Sequence, residues 1–177
     1  MGGGVESSVG CAGVRAEHHR RPRCVTAPPY TGGCVCGATR YRLTAEPLTF
    51  YACHCTDCQK RSGSAFGLSM WVDKAAFELV QGEPTAHTTT FGDGRAAGSR
   101  NCARCGTHLW TVMPRYPEFV LLRPGTLDDT SWLEPVAHLW TRSAQPWFRF
   151  PGGVATYDTQ PPDILELATL WQSRRRI

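Results

Sequence analysis

Seven cysteines stand in three tight clusters, Cys34-x-Cys36, Cys53-x-Cys55-x-x-Cys58 and Cys102-x-x-Cys105. Thiolates at such spacings are soft metal donors, and four of them complete one tetrahedral zinc site. Seven donors are too many for one closed site and one too few for two. The arithmetic predicts one sealed structural zinc and one zinc held by three thiolates, with a fourth position open to water or a substrate. An open position is where chemistry can occur.

Cys102-Ala103-Arg104-Cys105 followed by Gly106 has the form of a zinc knuckle, a tight turn that aims backbone N–H groups at sulfur while glycine relieves the Cβ clash. Cys34-Val35-Cys36, set between Gly32-Gly33 and Gly37, is a shorter ligand turn whose natural partner is a second knuckle distant in sequence. Cys34, Cys36, Cys102 and Cys105 are therefore paired as a structural site of four thiolates. A zinc of this kind supplies on the order of 10 kcal/mol of apparent binding free energy to folding. Cys53, Cys55 and Cys58 are compact enough to claim one face of a second metal without help. Three readings compete with that: buried thiols with no metal, closure of the site by Cys11 or Cys24, and iron–sulfur ligation. Glycine-flanked Cys-x-x-Cys turns favour zinc.

Among the remaining candidates, His54 lies inside the three-cysteine cluster, as a hydrogen-bond donor behind the ligands or as an exposed ring. His108 and His138 sit among apolar residues and read as hydrogen-bonded core histidines. Trp110, Trp132, Trp140 and Trp147 read as core or rim packing. Lys60, Arg61 and Arg100 adjoin the cysteine clusters and are the candidates for pairing with carboxylates of an acidic substrate, against the plainer reading of surface charges.

These clusters need a scaffold, and the chain texture predicts a mainly β one. From Tyr30 onward, short runs rich in β-branched and aromatic residues alternate with Gly, Pro and Asp. Strands are expected at 38–43, 48–52, 66–72, 77–81, 86–90, 97–101, 108–113 and 119–123, with a helical turn at 74–77. Gly92-Asp93-Gly94 is suited to a hairpin turn between Thr90 and Ala97. One helix is expected at the end, capped by Asp163, with Ile164, Leu167, Ala168 and Trp171 on one face and Arg174 to Arg176 as a solvated, dipole-compatible last turn. Residues 1–29 read as a disordered leader, 30–160 as the zinc-binding domain and 161–177 as the helix and basic tail.

The length of 177 residues fits one domain with extensions. Of nine cysteines, seven are accounted for as ligands, and the N-terminus lacks the apolar segment of a secretory signal, so a reducing cytoplasm is expected rather than a disulfide scaffold. No segment has the length of a membrane span. The net charge of +4 resides in the two ends: without four leader arginines, three tail arginines, Glu6 and Glu17, the body is formally −1. Two zinc ions on seven thiolates would make it more anionic, which argues against a dedicated nucleic-acid surface.

The segments Gly32-Gly33-Cys34-Val35-Cys36-Gly37, Cys53-His54-Cys55-Thr56-Asp57-Cys58-Gln59-Lys60-Arg61-Ser62-Gly63-Ser64-Ala65-Phe66 and Cys102-Ala103-Arg104-Cys105-Gly106-Thr107-His108-Leu109 resemble the glutathione-dependent formaldehyde-activating enzyme family, which includes centromere protein V. The resemblance runs from about Tyr30 to Phe150. It implies a β-tent of antiparallel sheets built around a structural zinc, with Cys34, Cys36, Cys102 and Cys105 on that zinc and Cys53, Cys55 and Cys58 on a catalytic one, two Zn²⁺ per chain. It also implies a carbon–sulfur lyase type of activity, addition of glutathione or a similar thiol to formaldehyde or a related aldehyde, giving S-(hydroxymethyl)glutathione in the named reaction. The centromere-protein branch implies the competing class, a zinc-scaffolded binding module for protein or nucleic acid without catalysis.

Overall fold

The computed structural model describes residues 27–91 and 94–175. Most of the expected leader, with Cys11 and Cys24, lies outside the described residues, as do Gly92 and Asp93 of the expected hairpin turn and the last two residues of the basic tail.

Alternation of apolar and polar residues yields a first antiparallel layer of β1 (Tyr30–Gly33) and β2 (Arg40–Leu43), in which Tyr30, Tyr41 and Leu43 are buried and Arg42 faces out. The chain then enters the larger sheet at β3 (Thr49–Cys53), whose residues are all buried. After helix α1 (Thr56–Ser62) come β4 (Gly67–Asp73), β5 (Phe77–Gln81), which returns to pair with β2, β6 (Thr85–Thr90) and β7 (Ala96–Asn101). Strands β8 (His108–Met113) and β9 (Tyr116–Leu122) follow, then β10 (Ala137–Leu139), β11 (Ala155–Tyr157) and helix α2 (Ile164–Arg175). Among the described residues the sheets are β1-β2-β5 and β11-β10-β3-β4-β9-β8-β7-β6.

The mainly β expectation holds, with one departure in strand direction. β10 runs parallel to both β3 and β11, so the larger sheet is mixed rather than wholly antiparallel. β10 and β11 are too short for their apolar alternation to register, and β1 reads as a glycine-rich ligand turn; α1, with no buried residue, shows no apolar periodicity. The other strands and the turn at Lys74–Ala76 fall within three residues of their expected limits.

Between the layers lies an aromatic stack: Tyr41 on Phe77 with ring centres 5.6 Å apart, and Phe77 on Trp110 at 4.7 Å. Helix α2 closes the far end of the same core. Asp163 Oδ1 accepts the Leu165 N–H at 2.9 Å as the expected cap, Leu167 and Trp171 are buried, and Trp171 meets Phe50 edge-on at 6.4 Å. Arg174 corrects the reading of a solvated helix end, since its Nη1 donates to the Pro135 carbonyl at 2.9 Å and lies 3.6 Å from Glu134 Oε1. Trp147 corrects another: it stands exposed instead of packing in the core or at its rim.

Candidate metal centres and the surrounding site

Two glycine-ended loops, one closed by a three-residue and the other by a four-residue backbone hydrogen bond, bring four cysteines together. In the first, Gly37 N–H donates to the Cys34 carbonyl at 3.0 Å; in the second, Gly106 N–H donates to the Cys102 carbonyl at 2.9 Å. Both glycines have φ +73°, a backbone region that costs a side-chain-bearing residue about 1–2 kcal/mol. Thr39 N–H donates to Cys34 Sγ at 3.2 Å, and Asn101 Nδ2 donates to the Gly106 carbonyl at 3.3 Å, fastening the second turn to β7.

The sulfurs of Cys34, Cys36, Cys102 and Cys105 all lie within 4.8 Å of one another. Cys34 Sγ is 3.5 Å from Cys36 Sγ, which is 3.8 Å from Cys102 Sγ. A tetrahedron with Zn–S bonds of about 2.3 Å has edges of about 3.8 Å, so the donor set fits a single ion of that size. It ties the β1–β2 turn to the β7–β8 turn, elements more than sixty residues apart in sequence.

The second group is assembled from the end of β3 and the start of α1. Cys53, the last residue of β3, faces Gly67 in β4. Cys55 caps α1, its Sγ accepting the Cys58 N–H at 3.3 Å, so one turn of helix returns Cys58 beside Cys55. Gly63, at φ +61°, ends the helix. The sulfurs of Cys53, Cys55 and Cys58 lie within 4.8 Å of one another, and no fourth His, Cys, Asp or Glu ligand atom joins them among the described residues. Hydrogen bonding from Cys53 and Cys58 holds Cys55 down to about 2, while hydrogen bonding to Cys55 and Cys58, with burial, pushes Cys53 far above the usual thiol range. Three thiolates within 4.8 Å of one another repel, and a cation held between them would offset that repulsion.

Behind the thiols, position 54 turns the opposite way. His54 is fully buried, its Nε2 2.9 Å from His138 Nδ1 in β10, and its ring lies 4.9–5.4 Å from Phe66, Phe148 and Phe150. This settles the two alternatives for His54 against exposure. It also places His138 in the core with a hydrogen-bonded partner, as expected. The His54 carbonyl accepts from Gln59 Nε2 at 2.7 Å and from Ser143 Oγ at 3.0 Å, and Gln145 Nε2 donates to Gln59 Oε1 at 2.7 Å. The sequence reading did not find this polar clasp, because Gln59 and the 143–145 segment carry no signature that links them.

The basic candidates separate. Lys60 is exposed on α1 and makes no hydrogen bond or ion pair with the described residues. Arg61, on the same helix, reaches across the sheet to Thr111 Oγ1 in β8 at 3.4 Å, and its guanidinium lies over the Phe91 ring at 5.7 Å. Arg100 does not share that surface. Ser99 faces Thr111 across β7 and β8, so Arg100, the next residue, projects from the other side, into a groove with Lys74, Val112 and Pro117. The structure adds Arg123, which sequence reading passed over as the end of a strand. Its Nη1 donates to the Leu68 carbonyl at 3.0 Å, beside Cys58, and Nε is buried without a partner. His108 completes the corner, with Nε2 3.1 Å from Thr111 Oγ1. Burial, then the charges of Arg123 and Arg61, push it down to about 4.

Comparison with known proteins places the chain in a family. A model of the glutathione-dependent formaldehyde-activating enzyme family matches residues 29–143. A relative from Halomonas elongata, provisionally named a glutathione-dependent formaldehyde-activating enzyme, is 33% identical over half of this chain and 59% of its own, so the chain spans less than two thirds of that relative. One from Talaromyces marneffei with the same provisional name is 26% identical, covering 84% of this chain and 89% of its own. Among solved structures, a Rhodobacter sphaeroides protein aligns with a TM-score of 0.46 at 19% identity, over 72% of this chain and 98% of that one.

Proposed function

The chain belongs to the glutathione-dependent formaldehyde-activating enzyme family, and from that premise we propose that it joins a small thiol, glutathione or a close analogue, to formaldehyde or a related aldehyde at the Cys53–Cys55–Cys58 centre. The observation that carries this reading is a donor set of three convergent sulfurs with no fourth ligand atom among the described residues. Cys34, Cys36, Cys102 and Cys105 would hold a structural zinc, and Cys53, Cys55 and Cys58 a second one. A zinc bound there favours the thiolate over the thiol in a sulfur that shares its coordination.

The rest of the site belongs to the chain. Cys55 is fixed at the helix start and Cys58 one turn later, so the cluster has little freedom to rearrange. The clasp from Gln59 and Ser143 to the His54 carbonyl holds the loop from behind. Arg123 sets a positive charge against Cys58 and Cys53, offsetting the anionic excess of three thiolates. Thiols add to formaldehyde without help, so the gain expected here is from holding both reactants at one place, an effective-molarity effect. The step breaks the thiol S–H bond and the carbonyl π bond, forms a C–S bond between sulfur and the aldehyde carbon, and leaves the proton lost by the thiol, directly or through solvent, on the former carbonyl oxygen as the hydroxyl.

Cobalt-substituted protein titrated with glutathione tests the reading. A change in the visible cobalt bands on adding thiol supports an accessible metal position. Bands that stay those of closed tetrahedral thiolate sites with every thiol tried would instead favour a zinc-scaffolded binding module.

A further inference from the structure

The inner face of the larger sheet extends farther than the layer that covers it. Phe77 in β5 packs on Trp110, and strand pairing sets Arg100 opposite Trp110 and Ala86 opposite Arg100. Two residues along each strand, Val112, Gly98 and Thr88 stand in register on the same face. The smaller sheet ends at β5, so beyond Trp110 this face is left partly open: Ala86 and Thr88 are exposed, and Arg100 and Val112 half-buried.

A groove of about 400 Å³ occupies that space, a volume in the range of small-molecule sites. Ala86, Thr88, Gly98 and Val112 line it from the sheet, and Pro114 and Pro117 from the β8–β9 connection and the start of β9. Gly98 has no positive φ, yet a Cβ there would stand 3.0 Å from Val112 Cγ2 and 3.2 Å from Arg100 Nη1. The Arg100 guanidinium therefore lies alongside the glycine, within the groove. Its one hydrogen bond among the described residues runs from Nη1 to the adjoining Ser99 carbonyl at 3.2 Å. Lys74 is the other cation of the lining, and its ammonium makes no hydrogen bond or ion pair with the described residues. No lining residue is acidic.

An apolar trough with two cations and no counter-charge fits a ligand with an apolar body and one anionic head. The body removes apolar surface from water, and the head meets Arg100 in charge-assisted hydrogen bonds. A neutral ligand gains only the first of these, and a cationic one is repelled. We infer that this groove is a second ligand site, for a small amphiphilic carboxylate, with Arg100 binding the head and Lys74 adding to the attraction. It lies on the opposite side of the sheet from the Arg61–Thr111 contact and does not rest on the thiol-binding reading.

Isothermal titration calorimetry of the metal-loaded full chain with octanoate, 1-octanol and octylamine tests it. Octanoate is expected to bind roughly tenfold more tightly than octanol, about the size of one charge-assisted hydrogen bond, and octylamine not measurably. Arg100→Gln is expected to bring octanoate to the affinity of octanol while leaving octanol unchanged, and Arg100→Lys to keep part of the difference. Lys74→Gln should weaken octanoate about threefold, as for an exposed charge. Thr88 is exposed and stands opposite Gly98, so Thr88→Phe sets a ring over the glycine without entering the core and should weaken octanoate and octanol alike. Circular dichroism and metal content equal to those of the wild type check that each variant is folded. Absence of saturable octanoate binding, equal affinity for octanoate and octanol, or a preference that survives Arg100→Gln would each overturn the assignment.

Discussion

His54 Nε2 and His138 Nδ1 stand 2.9 Å apart, both rings buried beneath Phe66, Phe148 and Phe150, joining the loop that carries the three-cysteine cluster to strand β10. One ring must donate and the other accept, and burial presses both toward their neutral forms. Because neighbouring positions in an extended segment face opposite ways, a histidine between Cys53 and Cys55 can anchor the loop from behind while the thiols face forward.

Removing one member of this pair should therefore loosen the loop. His138→Leu leaves His54 Nε2 buried and unpartnered, and the expected loss is about 1–3 kcal/mol of stability. Urea denaturation of the metal-saturated protein measures it. Unaltered stability would mean that the bond anchors nothing.

The two metal centres should separate under mutation. Cys102→Ala removes a ligand that spans distant elements, and with a structural zinc contributing on the order of 10 kcal/mol, loss of cooperative folding at room temperature is expected. Cys55→Ala should remain folded, lose one metal of two and lose the response to thiols, with a small further cost of about 1 kcal/mol for the missing helix cap. Metal content by mass spectrometry, alongside circular dichroism, distinguishes the cases.

At Gly106 the demand is on the backbone alone, since a Cβ there would meet nothing within 4 Å while φ is +73°. Gly106→Ala should cost about 1 kcal/mol, and Gly106→Asn less, because asparagine tolerates the left-handed region. Thermal melts of the two variants side by side give the answer; an equal cost would point to a steric rather than a conformational cause.

Gly67→Ala poses the opposite problem, an ordinary φ with a crowded Cβ. The variant should fold with a penalty of about 1–3 kcal/mol from overpacking against Cys58. Urea denaturation at constant metal saturation is the measurement, and wild-type stability would show that the Cys58 side chain gives way at no cost.

Acid should destabilise the fold through His108. Its folded pKa is pushed from the usual 6.5 down to about 4 by burial and by Arg123 and Arg61, so above pH 6.5 it is neutral whether folded or not. As pH falls from 6.5 toward 4 the unfolded chain takes up a proton that the folded chain refuses, and stability declines. His108→Gln should flatten this part of the stability profile, measured at constant metal saturation to separate it from thiolate protonation. Parallel profiles for the two proteins would remove His108 from the account.

Both sulfur groupings were legible before any fold was known, and so was most of the strand sequence. Cys55 and Cys58 are brought together by one helical turn, and Cys102 and Cys105 by one glycine-ended loop, so their chemistry is written within a few consecutive residues. Joining Cys34 and Cys36 to the second knuckle followed from counting donors. Helix α1 itself escaped notice because none of its residues is buried and it presents no apolar stripe.

What surrounds the sulfurs was decided by tertiary structure. Arg61 and Arg100 looked equivalent in sequence, each beside a cysteine cluster, yet strand alternation sends Arg100 to the other side of the sheet while Arg61 meets Thr111. Arg123, and the pairing of His138 with His54, became visible only when β9 and β10 took their places beside β4 and β3. The physical reason is register: ligand spacing within a turn is fixed by local backbone geometry, whereas the face on which a strand residue emerges reverses with a shift of one residue and is set by the packing of the whole sheet.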